Sequence, residues 1–415
     1  MEALTVPSRM DALTFKGNLK DTRYGWLRLT PAYSLHAISD RIPRRSGASV
    51  RVLDPFSGTG TTALVCAERG IACDGVDINP FLIWLARAKT RSYSAGDILA
   101  FRQGATQVRD AIRAQRASAT WLPPIHKIEK WWDDASLECL GSALAEIRLI
   151  STALPSRVGD LMQVAFCRLV IETAYVSFGH QSMSFRKPSG SGASRPLVPV
   201  AESVGERWRV TCASLAESAA SDVPVEPQFY LGDARYLTSV VPTRGYSTVV
   251  TSPPYPNRMS YIRELRPYMY WLGFLKSGEA ASDLDWAAIG GTWGSATSKL
   301  AAWRPEGGMV PVMDDFERVL ARIRERSPLL ANYVQKYFID MAQHCRQLFD
   351  VVSPGGQVTY IVGNSKFYDV LLPVEAYFGQ LFLQAGFERV RIVPLRKRTS
   401  KPELFEYAVS CGKPA

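Results

Sequence analysis

The sequence predicts an α/β protein built on a doubly wound, mostly parallel sheet, and three observations carry that prediction. Residues 50–54 (Val-Arg-Val-Leu-Asp) are a short apolar run leading straight into a glycine-rich turn, 55–62, and an alanine-rich helical pattern that ends at Gly70. Residues 71–77 form a second strand with an acid, Asp77, at its carboxyl tip. Two later runs repeat the theme: 229–234 is a strand closed by Asp233, and the β-branched stretch 247–250 delivers Thr251-Ser252-Pro253-Pro254-Tyr255. Ligands in such sheets bind beyond the carboxyl ends of the strands, where these turns and acids fall.

The remaining elements follow in chain order. Residues 333–349 place apolar side chains at helical spacing, stop at Ser353-Pro354-Gly355-Gly356, and lead into a buried-strand run, 357–362. A further amphipathic helix spans 371–385 and ends at Gly386. Residues 389–394 and 406–411 alternate as an antiparallel hairpin on the sheet edge. Parallel connections need little more than one helix, so two blocks fall outside this core. The first, 96–227, is mainly helical and carries a Ser/Gly/basic stretch at 177–194. The second, 276–328, contains a Gly/Trp/Ser-rich stretch, 290–303, and a charged helix, 314–326. The expected division is a core of 1–95 and 228–415, with the segment 276–328 inserted in it, and a helical insert of 96–227.

Composition narrows the class of protein. A chain of 415 residues with 47% hydrophobic and 21% charged residues has the make-up of an ordinary globular protein rather than a disordered one. The formal charge of +10 favours a polyanionic partner, because cations that neutralise phosphates release condensed counterions; a basic protein without that role is the alternative. Seven scattered cysteines (66, 73, 139, 167, 212, 345 and 411) lack zinc-site spacing and disulfide-scaffold density, and read as buried thiols of a reducing compartment. No stretch resembles a signal peptide or reaches the roughly 18 apolar residues of a membrane span, so the expectation is a soluble cytoplasmic protein.

Gly58 and Gly60 let the backbone approach a nucleotide-like ligand, and the turn presents main-chain N–H groups at a helix start. The segment lacks the Rossmann GxGxxG spacing and the lysine of a P-loop. Asp77 follows Gly60 by 17 residues, a spacing that suits a carboxylate accepting both hydroxyls of a ribose; a helix N-cap is the alternative. Asp233 would face the same crevice, either toward an adenine amino group or as an ordinary turn aspartate. In Thr251 to Tyr255, two prolines directly after a strand remove backbone donors and fix φ. The Pro253 carbonyl and the Ser252 hydroxyl can then converge as acceptors on an –NH₂ group, with Pro254 stiffening the loop and Tyr255 offering a ring to a planar base. An exocyclic amino nitrogen is a poor nucleophile because its lone pair is delocalised. Acceptors that hold its hydrogens orient that lone pair. A rigid surface turn is the alternative.

Together, Asp54-Pro55-Phe56-Ser57-Gly58-Thr59-Gly60-Thr61-Thr62 and Thr251-Ser252-Pro253-Pro254-Tyr255 resemble the amino-methyltransferase family of DNA modification enzymes. The resemblance covers about 10–95, 228–275 and 330–415, and implies a Rossmann-like class I methyltransferase sheet, mostly parallel with the last strand antiparallel. It implies S-adenosylmethionine as cofactor, held by Asp54, Phe56, Ser57, Gly58, Gly60, Thr61 and Thr62, with Asp77 and Ile78 at the ribose and Asp233 and Ala234 near the adenine. The segment 25–34, including Tyr33, is similar to the element that closes over the methionine moiety. Ser-Pro-Pro-Tyr is typical of the branch that methylates N4 of cytosine, where adenine-N6 enzymes more often carry Asp or Asn in place of Ser252.

The partner so implied is duplex DNA, with a cognate restriction or defence system as a further possibility, no metal, and a nucleoid-associated location. The block 96–227 is the candidate for target recognition, although an insert between the second and third strands departs from the family's usual arrangement. The loops at 177–187 and 258–266 would meet DNA, naming Ser182, Arg186, Lys187, Arg258 and Arg263. Four cations in six residues, Arg396, Lys397, Arg398 and Lys401, would suit phosphate contact or form a solvated hairpin. The target base would be flipped from the duplex, and no cysteine lies in a Pro-Cys context for C5 chemistry. Adenine-N6 methylation, RNA guanine-N2 methylation and a non-catalytic DNA-binding subunit are the competing readings.

Overall fold

The structure is a computed structural model that describes residues 22–27, 35–44, 47, 50–115, 121–177, 184–185, 199–242, 244–257, 260–291, 295–305, 311–398 and 403–415. Seven strands form the main sheet: β1 (Arg51–Asp54), β2 (Ala72–Asp77), β3 (Gln228–Leu231), β4 (Tyr246–Thr251), β5 (Val352–Gly363), β6 (Glu388–Lys397) and β7 (Phe405–Gly412). Their spatial order is β6-β7-β5-β4-β1-β2-β3. β1 to β5 are mutually parallel, with Val52 opposite Cys73 and Thr248, and Val249 opposite Val358. β7 runs antiparallel between β5 and β6. This is the Rossmann-like sheet of class I methyltransferases. The chain order reverses between β1 and β4, which places the functional crevice at their carboxyl ends.

Strand alternation explains the layering. Leu53, Val249, Val358, Tyr360 and Val409 enter one apolar cluster with the helices α10 (Pro328–Val351) and α11 (Val374–Gln384) and the amphipathic α9 (Phe316–Arg326). Val52, Val250, Ile361 and Ala408 enter a second cluster, with α1 (Thr61–Glu68) and Ile83 and Ala86 of α2 (Pro80–Thr90). Toward the amino ends of the strands, buried Asp74 accepts from the Arg51 guanidinium and from the Tyr246 hydroxyl, tying β1, β2 and β4 together. The charged pair satisfies what burial alone would penalise. All seven cysteines are buried and unpaired. Gly75 of β2 is required by space: a Cβ there would lie 2.7 Å from the Phe229 ring and 2.9 Å from Ser57 Cβ. Gly75→Ala should therefore cost about 1–3 kcal/mol in chemical denaturation, and also disturb the turn that holds Ser57.

The helical block comprises α3 (Ala95–Ala114), α4 (Asp134–Ser151), α5 (Ser156–Thr173) and α6 (Val200–Ala219). Its core, including Phe101, Leu144, Phe166 and Trp208, is continuous with Phe81 and Leu85 of α2 and with Leu265, Tyr268 and Trp271 of α7 (Tyr261–Trp271), and Ala281 and Leu284 of α8 (Gly278–Ala287) pack against it. The Trp271 ring packs edge-on against Trp132 at 5.8 Å and Phe166 at 5.6 Å. The block therefore buttresses the helix that follows the Pro-Pro-Tyr loop. Leu371 and Leu372, at the start of the span expected to be helical, instead belong to a small hairpin, Ser365–Phe367 with Val370–Leu372, and α11 begins after Pro373. Among the described residues, no helix is long and apolar enough to cross a membrane.

Candidate active site

The glycine turn is shaped by two left-handed residues, Gly58 at φ 51° and Gly60 at φ 76°, conformations that side chains resist. A Cβ on Gly60 would also stand 3.0 Å from Ala86 Cβ. The turn is fixed to β2, since Ser57 N donates to the Val76 carbonyl (2.9 Å) and Gly58 N to Asp77 Oδ2 (3.0 Å). Gly60 caps α1 with no side chain, so among the described residues no N-cap side chain takes up the first-turn amides. Ser57 Oγ is buried with no hydrogen-bond partner among the described residues. A cradle of this kind, with an orphaned hydroxyl and open space over Gly58, fits a ligand rich in acceptors.

Asp77 engages two backbone donors, Gly58 N and Asn79 N (2.8 Å), and burial raises its carboxyl to about 6 against their pull. It is not the N-cap of α2; Asn79 does that, accepting from Phe81 N. The half-buried Ile78 follows at the strand tip. Asp233 accepts from Arg235 N (2.9 Å) and from its guanidinium (2.6 Å), and Arg235 continues to Asp340 (3.0 Å). The aspartate thus serves its own turn and an ion pair at the site where an adenine amino group was expected. Thr61 is buried, and Thr62 Oγ1 donates to the Val250 carbonyl, pinning α1 to β4.

The two motifs are joined through one carboxylate. Asp54, fully buried at the tip of β1, accepts from Phe56 N (3.2 Å) and from Thr251 Oγ1 (2.5 Å) at the tip of β4. Beyond it, Ser252 Oγ donates to the Ile361 carbonyl at 2.9 Å and lies 3.3 Å from Tyr255 Oη. Tyr255 Oη donates to Glu406 Oε1 at 3.0 Å. The Tyr255 hydrogen goes to a carboxylate and the Ser252 hydrogen has the Ile361 carbonyl or Tyr255 Oη as acceptor, so both hydroxyl oxygens retain accepting capacity. The Pro254 carbonyl is taken by the Tyr337 hydroxyl (2.8 Å), and Tyr255 N donates to Tyr261 Oη (3.3 Å). Pro253 is buried. Burial, reinforced by Glu406, holds the Tyr255 hydroxyl well above its ordinary pKa.

The expected phosphate contacts at the last hairpin find other partners. Arg396 Nε donates to Glu406 Oε2 (2.8 Å), and the Arg398 guanidinium lies 5.1 Å from the Tyr255 ring centroid and donates to the Asn364 carbonyl (2.7 Å). The β6–β7 register puts Arg396 opposite Glu406, and a buried carboxylate there demands a cation. Lys397, half-buried, closes β6. Arg263 sits in the first turn of α7, its N–H donating to the capping Ser260. Tyr33, Ser182, Arg186, Lys187 and Arg258 lie outside the described residues.

Two residues beside the turn escaped sequence reasoning. His344 of α10 is fully buried; its Nδ1 must donate to the Ala234 carbonyl (2.8 Å), which leaves Nε2 to accept from the Tyr360 hydroxyl. Burial lowers its pKa to about 4, so the ring is neutral, and Phe56 packs on it edge-to-face at 4.8 Å. Lys89, equally buried, donates to Thr59 Oγ1 (3.3 Å) and is lowered to about 7 by desolvation. Neither carries a local sequence signal: a histidine or lysine within an apolar helical pattern shows its role only once the helix is packed.

The sheet order, the crevice and the two joined motifs define a class I methyltransferase fold. Comparison with known proteins then narrows the class. No family model matches the sequence. Over 435 residues the chain is 21% identical to the type II methyltransferase M.AvaI of Nostoc sp. and to that of Anabaena variabilis, covering 94% of this chain and 85% of each relative. A 42-residue stretch is 45% identical to the type II methyltransferase M.MjaII of Methanocaldococcus jannaschii, 10% of this chain and 8% of that one. Among solved structures, a DNA modification methylase of Thermus thermophilus aligns over 44% of this chain and 51% of its own at 18% identity, with a TM-score of 0.22. The rRNA methyltransferase aviRa of Streptomyces viridochromogenes aligns over 98% and 94% at 12% identity, with a TM-score of 0.29. These scores add no weight to the fold, which rests on the strand order. The chain is similar to type II methyltransferases along nearly its whole length.

Proposed function

We propose that this chain is an S-adenosylmethionine-dependent DNA methyltransferase that methylates an exocyclic amino nitrogen, N4 of cytosine, in duplex DNA. The observation that carries the reading is the hydrogen-bonding state of Ser252: its proton has protein acceptors in the Ile361 carbonyl (2.9 Å) and Tyr255 Oη (3.3 Å), so its oxygen is left to act as an acceptor. An acceptor beside the Pro253 carbonyl is what an –NH₂ group needs to be held with its lone pair directed outward. S-adenosylmethionine, when bound, supplies a methyl group activated on a sulfonium. Asp77 would accept from the ribose, Ser57 and the first-turn amides of α1 would line the loop, and Asp54 would hold both loops in register. Tyr255 would stack against a base flipped from the duplex. Target reading is assigned to 96–227, through its shared core with α7, and the type II relatives suggest pairing with a restriction enzyme.

With labelled S-adenosylmethionine, label should pass to duplex DNA and not to tRNA or rRNA; label found in RNA alone would refute the reading. The Asp77 carboxyl titrates near 6 and is the better acceptor when ionised. Cofactor affinity in calorimetry should therefore fall about tenfold as pH drops from 7 to 5, and Asp77→Asn should flatten that dependence.

A further inference from the structure

We propose that Glu406, clamped by Arg396, is the positioning residue that sets the Tyr255 ring for the target base; the inference rests on the methyl-transfer reading of that loop. Three observations converge on it. Glu406 is 4% exposed, and its carboxylate is divided between two partners: Oε2 accepts from Arg396 Nε (2.8 Å), and Oε1 accepts from the Tyr255 hydroxyl (3.0 Å) and from Arg396 Nη2 (3.3 Å). A guanidinium fork stabilises a buried carboxylate and fixes its plane, so the oxygen presented to Tyr255 has a defined direction.

The second observation is topological. β7 is the antiparallel strand, so its first residues, rather than its last, arrive at the carboxyl edge of the parallel strands, where the loop after β4 lies. Glu406 is the second residue of β7 and pairs with Gly363 on one side and Arg396 on the other. The third is that the rest of the tyrosine is also held: its N–H by Tyr261, and one face of its ring by the Arg398 guanidinium, which is pressed against Gly363. Glu406 anchors the hydroxyl end. With Arg398 on one face, the opposite face is the one a base would use. Glu406 touches no reacting atom; it acts through Tyr255, and fixed geometry of this kind matters to rate because misplacement of a reacting group by about 1 Å costs heavily.

A double-mutant cycle on the full-length protein tests this. Tyr255→Phe removes the hydroxyl and keeps the ring, while Glu406→Gln keeps the side-chain shape and weakens its hold. Each should lower kcat for DNA methylation on the order of tenfold, with cofactor affinity and the KM for DNA unchanged, and the double variant should be no slower than either single one within about twofold. Losses that multiply to about a hundredfold, or an undiminished kcat in Glu406→Gln beside an impaired Tyr255→Phe, would overturn the proposal while leaving the methyl-transfer reading intact. If Glu406→Gln does not fold, Arg396→Gln takes its place in the cycle with the same criteria. Full activity in both Ser252→Ala and Tyr255→Ala would instead remove the reading beneath it.

Discussion

Ser252→Ala and Tyr255→Ala should each reduce methyl transfer to DNA by about a hundredfold or more, with cofactor affinity in calorimetry changed by less than about threefold. The half-buried serine hydroxyl lies 2.9 Å from the Ile361 carbonyl and 3.3 Å from Tyr255 Oη, so alanine removes an acceptor beside the tyrosine and leaves that carbonyl one donor short. The tyrosine loss is larger in volume: the ring under Arg398, the bond to Glu406 and the surface for the base all go together. Among the described residues, neither Ser252 nor Tyr255 hydrogen-bonds to the glycine turn, so the cofactor cradle should survive. Undiminished activity in both variants would sink the site assignment.

A second large effect is expected at Asp54. Asp54→Ala strands two donors, the partly buried Phe56 N and the buried Thr251 hydroxyl, and an unsatisfied buried donor costs about 1–3 kcal/mol. Because one donor belongs to the cofactor turn and the other to the strand feeding the Pro-Pro-Tyr loop, the substitution should impair both functions at once. Stability in urea should fall by about 2–4 kcal/mol, and cofactor affinity by about tenfold or more. Asp54→Asn, which keeps one acceptor oxygen, should recover most of the stability. If Asp54→Ala lowered catalysis with cofactor affinity intact, the carboxylate would belong to the catalytic loop alone.

The parts of this site that were legible in the sequence are those where backbone chemistry is local. Gly58 and Gly60 adopt the left-handed conformations a tight turn demands, Asp77 closes β2, and the prolines after Thr251 end β4, as single residues can announce. The antiparallel pairing of the last strand was legible from its alternation, and its place between β5 and β6 was not, because strand order is a property of the whole sheet. That difference explains Arg396 and Arg398. As a run of cations they suggest phosphate; in the β6–β7 register one neutralises Glu406 and the other covers Tyr255. Asp233 shows the same limit on a smaller scale, since Arg235, two residues on, takes its carboxylate. The helical block was visible as helices, but its shared core with α7, through Trp271 and Phe166, depends on tertiary packing that periodicity does not encode.

In the proposed reaction, Ser252, Pro253 and Tyr255 direct methyl transfer to an exocyclic amino nitrogen of a DNA base. Digesting enzyme-treated DNA to nucleosides and identifying the modified one by mass spectrometry tests it most directly. N4-methylcytosine is the predicted product. N6-methyladenine would contradict the assignment to cytosine, and 5-methylcytosine or unmodified DNA would contradict amino transfer at this site altogether.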